Sequence, residues 1–153
     1  MELDKFLTEN NLWHRFYNKP EAVHTADTAT TTGVDLTRLT KSLVLVNQDK
    51  KAVLAIIPGN CKLSFSKLRH AIGAKKVRLV PFNEAEKYSG YVPGATPMVC
   101  HREEMQVVID KRLTHYKTIY GGGGSRTRML ELKTDNVIKI NHAVIADICE
   151  EYA

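Results

Sequence analysis

The sequence contains few cysteines and no long hydrophobic run. Its 153 residues include three cysteines, Cys61, Cys100 and Cys149, and no Cys-x-x-Cys pair. An odd number of widely spaced cysteines argues against a disulfide scaffold or a zinc ribbon and is typical of thiols in a reducing cytoplasm. No apolar run reaches the roughly 18 residues that a membrane-spanning helix needs, and the polar start MELDKFLTENN does not resemble a signal peptide. We therefore expect a cytoplasmic protein with no membrane partner.

The common metal-binding and catalytic spacings are also missing. Six histidines occur, but none forms an HxH, HxxxH or HExxH motif, so the sequence indicates no metal and no cofactor. Cys100 and His101 are adjacent, but a catalytic thiol and its base usually come from separate segments, so adjacency is no evidence for a nucleophile. The chemistry is therefore expected elsewhere in the chain.

The composition is that of an ordinary globular domain. Hydrophobic residues make up 43% and charged residues 25%, and the formal net charge is +5. This length suits one domain, and helical and strand-like segments alternate along it without a linker or a repeat. We predict an α/β (α+β) fold in which residues 1–153 form a single domain, with a helix near the N-terminus, within residues 1–15, packed on it.

Hydrophobic spacing and end signals predict the helices. Thr25 is a candidate N-cap for the second of them, Asn83-x-x-Glu86 resembles a capping box, and Thr134 is a candidate N-cap for the last. Gly33, Gly73 and Gly90 are candidate C-terminal stops. The predicted helices cover residues 2–12, 26–32, 64–72, 83–90 and about 134–138, with a helical turn at 35–39.

Apolar runs and turns predict about seven strands in a central mixed sheet. The clearest pair is SLVLVN and AVLAII, joined by a turn at residues 48–50, and both runs are apolar enough to be covered on both faces of the sheet. The segment 143–148 is either a last strand or a helical tail, because its periodicity does not separate the two. The other predicted strands cover residues 13–17, 76–80, 106–110, 117–120 and 128–132.

Three segments could carry chemistry. Lys41 stands with Ser42 at the entry of a buried strand, where its ammonium either marks a solvated strand end or points into a site. Pro93-Gly94 predicts a tight turn within residues 90–97, whose bare backbone either shapes a loop or approaches a ligand. The run Gly121–Gly124 follows a strand and is either a mobile hairpin tip or a backbone-lined wall with Arg126 and Arg128 beside it.

Basic residues cluster in several places. The net charge of +5 agrees in sign with an RNA partner but does not require one. Each cluster is either an ordinary solvated surface or part of a phosphate-binding surface. The clusters are Lys50-Lys51, Lys62 with Lys67 and Arg69, Lys75-Lys76 with Arg78, and Arg126 with Arg128.

The order of these motifs resembles the YbaK/ProX family of tRNA-editing domains, related to the editing insert of bacterial prolyl-tRNA synthetases. The resemblance covers residues 16–148 and rests on TKSLVLV, AIGAKKVRLV, GYVPGATP, VVID and TIYGGGGSR. It implies a largely antiparallel, curved, mixed sheet flanked by helices. Lys41 matches the lysine of the family's K-[ST]-L signature, Gly94 a glycine of its GYxxGG-like loop, and Thr25 the threonine that often starts its first conserved helix.

The resemblance implies a deacylase that removes a wrong amino acid from tRNA in trans. Lys41 and Gly94 would be the catalytic positions, the first anchoring the terminal nucleotide and the second holding the carbonyl or amino group by its backbone. A group of the substrate would activate the water. The other implied contacts are Thr25, Ser42, Tyr91, Gly121, Gly122, Gly123, Gly124 and Ser125 for substrate, and Lys50, Lys51, Arg126 and Arg128 for tRNA.

Two departures and one alternative remain open. Ala95 occupies the place of the family's second loop glycine, and Met129 stands where cysteinyl-tRNA-editing members often place an aspartate. Alanine, cysteine, serine and threonine therefore stay as alternatives for the edited amino acid, and a small one on tRNA(Pro) is expected. The implied partners are mischarged tRNA and an aminoacyl-tRNA synthetase. The alternative is a non-catalytic tRNA- or aminoacyl-binding module of the same fold.

Overall fold

The computed structural model describes residues 2–151, in which helices and strands alternate. The boundary residues follow from the hydrophobic runs and the turn residues between them. The elements are α1 (Leu3–Glu9), β1 (His14–Asn18), α2 (Thr25–Thr32), β2 (Thr40–Asn47), β3 (Ala52–Pro58), α3 (Phe65–Ile72), β4 (Val77–Leu79), α4 (Ala85–Ser89), β5 (Gln106–Asp110), a 3-10 turn (Lys111–His115), β6 (Thr118–Gly122), β7 (Arg128–Lys133), α5 (Thr134–Asn141) and β8 (Val144–Ala146).

The strands form two sheets, where the sequence predicted one central sheet. The larger sheet has the order β4-β2-β3-β5-β8, and the smaller has the order β1-β7-β6. The pairs β3-β5 and β5-β8 are parallel and the other pairs are antiparallel. A bridge between Leu39 and Tyr120 joins the two sheets. The mixed, largely antiparallel arrangement is confirmed, and residues 144–146 are a strand rather than a helical tail.

The β2-β3 hairpin forms the centre of the larger sheet, and both of its faces are covered. Val44 and Leu54 belong to one buried cluster, which also receives Leu3 and Leu7 of α1. Leu45 and Ile57 belong to a second cluster on the opposite face, under α3. Successive strand residues point to opposite faces, so a continuous apolar run fills both layers. This confirms the prediction made from SLVLVN and AVLAII.

The helix ends agree in part with those predicted from the sequence. The Ser64 hydroxyl accepts a hydrogen bond from the Lys67 N–H, and Gly73 ends α3 in the left-handed conformation. The predicted cap at Thr25 is wrong by one residue, because His24 is the extended residue before the helix and Thr25 is already helical. The predicted cap at Thr134 is also wrong, because its hydroxyl donates to the Tyr116 carbonyl oxygen at 2.6 Å.

The predicted capping box before α4 is not formed. Glu84 is the residue before this helix and makes no side-chain cap. The N–H groups of Glu84 and Ala85 instead donate to the carbonyl oxygen of Pro81, at 2.8 and 3.1 Å. The turn therefore begins at Pro81, ahead of Asn83. The left-handed Gly90 ends α4, as predicted.

Candidate functional site

A cavity of about 680 Å³ lies where the two sheets meet. The junction is held by the Thr40 hydroxyl, which donates to the Tyr120 carbonyl oxygen at 2.9 Å. The volume is within the range of about 300–1,000 Å³ that is usual for small-molecule sites. Its wall comes from residues within 23–28, 39–44, 79–85, 93–96 and 121–122, with Lys19, Gly59 and Met129.

The first of the predicted site residues, Lys41, lines this cavity from β2. Its side chain is half-buried, and its Nζ donates to the backbone oxygen of Cys61 at 2.9 Å. An ammonium group has three N–H donors, so one contact with a carbonyl leaves two for a ligand. The Lys41 ammonium is thus positioned by the Cys61 carbonyl and still has two N–H donors that can bind a ligand.

Ser42 and Thr25 line the same cavity from β2 and α2. The Oγ atom of Ser42 is buried and has no hydrogen-bond partner within residues 2–151. A buried hydroxyl without a partner is costly, and such groups usually bind water or a ligand. The Ser42 hydroxyl is therefore the polar atom of the wall that most clearly needs a partner.

Gly94 lines the cavity at the predicted tight turn. Its φ is +88°, and the Ala95 N–H donates to the Val92 carbonyl oxygen at 3.0 Å across the turn. A Cβ at Gly94 would lie 2.8 Å from the Cα of Val23. Glycine is thus needed here both for its conformation and for the close approach of the segment that leads to α2.

Gly121 and Gly122 belong to β6 and line the cavity, so the first half of the glycine run is strand rather than loop. A Cβ at Gly122 would lie 2.5 Å from the Thr96 carbonyl oxygen. This strand therefore packs directly against the backbone of residues 95–96, and this part of the wall is made of peptide groups.

Gly123 and Gly124 lie outside the cavity wall and close the hairpin to β7. The N–H of Gly123 donates to the Arg128 carbonyl oxygen, and the N–H of Gly124 donates to the Ala95 carbonyl oxygen, both at 3.0 Å. The exposed Ser125 hydroxyl lies 3.3 Å from that of Thr127. The hairpin is thus tied to the turn that contains Gly94.

Tyr91 and the two predicted tRNA-binding arginines are not among the wall residues, and each makes contacts within the domain. The Tyr91 hydroxyl donates to the Cys100 carbonyl oxygen at 2.7 Å, and burial raises the pKa of this phenol. The Nε of Arg126 donates to the Pro93 carbonyl oxygen at 2.8 Å. Arg128 pairs with both carboxylate oxygens of Asp4, at 2.9 and 3.2 Å, and its guanidinium carbon lies 3.8 Å from the Phe16 ring centroid. Arg128 therefore joins α1 to the smaller sheet.

Lys50 and Lys51 lie at the β2-β3 turn, away from this cavity. Both side chains are exposed. Lys50 has a φ of +58° and lines a second groove, which includes Arg69 and Arg78.

Most of the wall residues were not predicted as site residues, and four of these, Lys19, His24, Leu79 and Phe82, bear most on its chemistry. Lys19 is only 9% exposed, and burial lowers the pKa of its ammonium, which donates to the Arg126 carbonyl oxygen. His24 lies beside Thr25 on the wall, and Leu79 and Phe82 are exposed apolar residues of the same wall. No functional motif marks these positions. They come from the segment between β1 and α2 and from the end of β4 and the turn after it, which the fold brings together at the cavity.

The chemistry available in the wall is limited. Among the wall residues described, the ionisable side chains are Lys19, His24 and Lys41, and no carboxylate or thiol is present. Within residues 2–151, no three His, Cys, Asp or Glu side chains lie close enough together to hold a metal ion. The wall can donate hydrogen bonds and exclude water, but it offers few groups that could take a proton.

Within residues 2–151, no helix is long and apolar enough to cross a membrane.

The fold and the cavity define a mixed α/β domain with a cavity between two sheets, part of whose wall is made of backbone. Residues 19–140 match the family model of the aminoacyl-tRNA editing domain, and the chain belongs to this family. Over 116 residues it is 28% identical to EbsC of Enterococcus faecalis, a candidate Cys-tRNA(Pro)/Cys-tRNA(Cys) deacylase, covering 76% of this chain and 71% of EbsC.

Solved structures agree with the fold. The hypothetical protein APE2540 superposes with a TM-score of 0.90 at 26% identity, over 97% of this chain and 99% of that one. A candidate trans-editing enzyme for prolyl-tRNA synthetase superposes with a TM-score of 0.80 at 22% identity, over 90% of this chain and 87% of that one. The mixed α/β editing-domain fold predicted from the sequence is therefore confirmed.

Proposed function

We propose that this protein is a trans-acting aminoacyl-tRNA deacylase, which hydrolyses the ester between a wrong amino acid and the terminal ribose of tRNA. One observation carries the proposal: a single cavity gathers Thr25, Lys41, Ser42, Gly94 and Gly121 from four separate segments. The family to which the chain belongs supports the editing role in general. Mischarged tRNA would be its partner in the cytoplasm, with an aminoacyl-tRNA synthetase as a second partner.

In this proposal the terminal nucleotide is held at the open side of the cavity. The two remaining donors of Lys41 would bind phosphate or ribose oxygens, and the unpartnered Ser42 hydroxyl would take a further ribose or carbonyl contact. Phe82 is 60% exposed on the wall and offers a ring on which the terminal base can stack.

The ester carbonyl would be held by peptide groups. No carbonyl or side chain within residues 2–151 accepts a hydrogen bond from the N–H of Gly94. Preorganised N–H donors that polarise a carbonyl lower the barrier without any side-chain nucleophile. An activated ester then needs mainly positioning and a water molecule. Because the described wall lacks a carboxylate or a thiol, a group of the substrate, such as a ribose hydroxyl, would activate that water.

Met129 bears on which amino acid is accepted. It is 2% exposed and lines the cavity, so it brings an apolar, flexible side chain to the wall. A small residue such as alanine or cysteine, carried by tRNA(Pro), fits this proposal best, and EbsC is named for Cys-tRNA(Pro) and Cys-tRNA(Cys). One or two such contacts discriminate by roughly 1–3 kcal/mol each.

The second candidate function is a non-catalytic module that binds aminoacylated tRNA. It is favoured by the wall that lacks carboxylates and thiols, since binding needs donors and shape but no proton acceptor. A measurement of turnover separates it from the first candidate.

The test is a deacylation panel with tRNA(Pro) charged with Ala, Cys or Pro and with tRNAs charged with Ser or Thr. We expect rapid loss of one mischarged species. Lys41→Ala should lower kcat/KM about 10–100-fold, as expected for a lost hydrogen bond to a charged group. Lys111→Ala, an exposed lysine away from the cavity, is the matched control and should deacylate at the parent rate.

Two results would count against the enzyme. No turnover on any charged tRNA, with tRNA binding intact, would favour the binding module. Turnover that is equal in Lys41→Ala and Lys111→Ala would remove Lys41 from the proposed site.

A further inference from the structure

A second groove, of about 480 Å³, lies beside the edge strand β4. Its cations are Lys50, Arg69, Lys76 and Arg78, from the β2-β3 turn, from α3 and from the β4 region. Phe65, which is 39% exposed, also lines it. We call this set the basic groove.

The charge of the basic groove is not compensated by carboxylates. None of its four cations forms an ion pair within residues 2–151. Its lining contains no Asp or Glu, and the carboxylate of the neighbouring Asp49 accepts a hydrogen bond from Gln48. By contrast, Lys67 and Arg112 elsewhere in the domain are paired with Asp147. Four unpaired cations around one groove produce a positive potential that attracts a polyanion.

The basic groove and the cavity are joined by one stretch of chain. Lys76 to Arg78 line the groove, and the next residue, Leu79, already lines the cavity. Three residues of extended chain span about 10 Å, which is close to the length of three stacked nucleotides at about 3.4 Å each. A nucleic-acid strand that ends in the cavity can therefore run along β4 into the groove.

We infer that the basic groove is a second RNA-binding site, which holds the phosphates of the nucleotides that precede the acylated terminal nucleotide. Unpaired Lys and Arg side chains beside an exposed aromatic ring are the combination that binds single-stranded nucleic acid, through phosphate contacts and base stacking. This inference rests on the proposed function, because that function places the terminal nucleotide in the cavity.

The test compares two triple variants with the same change in charge. Arg69→Gln/Lys76→Gln/Arg78→Gln neutralises three of the four groove cations. Lys111→Gln/Lys117→Gln/Lys139→Gln neutralises three exposed lysines outside the groove. Arg69→Gln alone, on the surface of α3, serves as a milder groove variant. Each protein is titrated with uncharged tRNA(Pro) over a range of salt concentrations and assayed on the charged tRNA that the parent hydrolyses.

Of the two triple variants, we expect only the groove variant to bind tRNA more weakly than the parent, by roughly 10-fold or more. The slope of its log affinity against log salt concentration should fall in magnitude by about two, at about 0.7 for each lost phosphate contact. Hydrolysis of a 3′-aminoacyl ester of adenosine, which has no phosphate, should be the same in all variants. Arg69→Gln should lower the affinity in the same direction.

The outcomes separate this inference from the proposed function. A parent that binds tRNA but hydrolyses none, with binding weakened only by the groove variants, would refute the deacylase and support the groove. A parent that hydrolyses charged tRNA, with both triple variants binding alike, would overturn the groove and leave the deacylase. A parent that does not bind tRNA overturns the groove directly, and the cations would then serve only to protect the edge of the sheet.

Discussion

Adding one methyl group at Gly122 should displace the adjacent loop at residues 95–96, which follows Gly94 and contributes Thr96 to the cavity wall. The new Cβ would lie 2.5 Å from the Thr96 carbonyl oxygen and 2.6 Å from the Ala95 carbonyl carbon. An ordinary contact needs at least 3.4 Å, so the loop must retreat by about 0.9 Å. Both neighbours are backbone atoms, and no rotamer change can relieve the overlap.

Gly121→Ala is the matched control. Gly121 is the preceding residue of the same strand, lines the same cavity and likewise has no positive φ. Its Cβ would lie 3.1 Å from Cγ of Met98, a flexible side chain that can yield by a few tenths of an ångström. Replacing Gly by Ala at a compatible site stabilises a protein by about 0.4–1 kcal/mol through the unfolded state, so this variant should be nearly neutral.

We expect Gly122→Ala to lose about 1–3 kcal/mol of stability through overpacking, which lowers the melting temperature by roughly 3–10 °C for a chain of this length. A shift of about 1 Å in a catalytic group costs on the order of 100-fold in rate, so kcat/KM for deacylation should fall by about that factor. Thermal unfolding and single-turnover deacylation measure the two effects. Equal stability and equal activity in the two variants would refute the steric argument.

Three other changes have expected outcomes. Arg112 and Lys67 hold the pKa of Asp147 at about 2, below its unfolded value of 3.8. The ionised Asp147 therefore stabilises the folded protein above pH 3.8, and this contribution is lost as the pH falls toward 2. Asp147→Asn should cost about 1 kcal/mol at pH 7 after solvent screening, and its unfolding free energy should approach the parent's as the pH falls below the folded-state pKa of about 2. His24→Ala should keep kcat within a few-fold, and a loss of roughly 10²–10⁴ would make His24 the general base and contradict substrate assistance. Phe82→Ala should raise KM for charged tRNA, at about 1–3 kcal/mol for each stacked base, without changing kcat, and an unchanged KM would rule out stacking there.

The elements that depend on nearby residues are the ones the sequence predicts well. The β2-β3 hairpin follows from two apolar runs and a polar turn, and the ends of α3 follow from Ser64 and Gly73. The failed cap at Thr134 depends on a distant partner, since its hydroxyl donates to the carbonyl oxygen of Tyr116. Local patterns cannot report such tertiary competition.

The residues of the candidate site also include some that the sequence predicts and some that only the fold reveals. Lys41 and Gly94 stand in motifs that a single sequence can reveal, and both lie on the cavity wall. Lys19 and Phe82 reach the same wall through the path of the chain, without any motif of their own. The separation of the strands into two sheets is likewise a long-range feature, because hydrophobic alternation defines strands but not their neighbours.

The peptide groups of the wall have a consequence for how substrate preference can change. Side chains can be exchanged by mutation, but the N–H and C=O groups around Gly94 and Gly122 are set by the course of the backbone. The backbone groups that would hold the reacting ester are therefore distinct from a side chain such as Met129, which would limit the size of the amino acid that fits. A change at that one position could redirect the domain to another small amino acid while the ester-holding backbone stays the same.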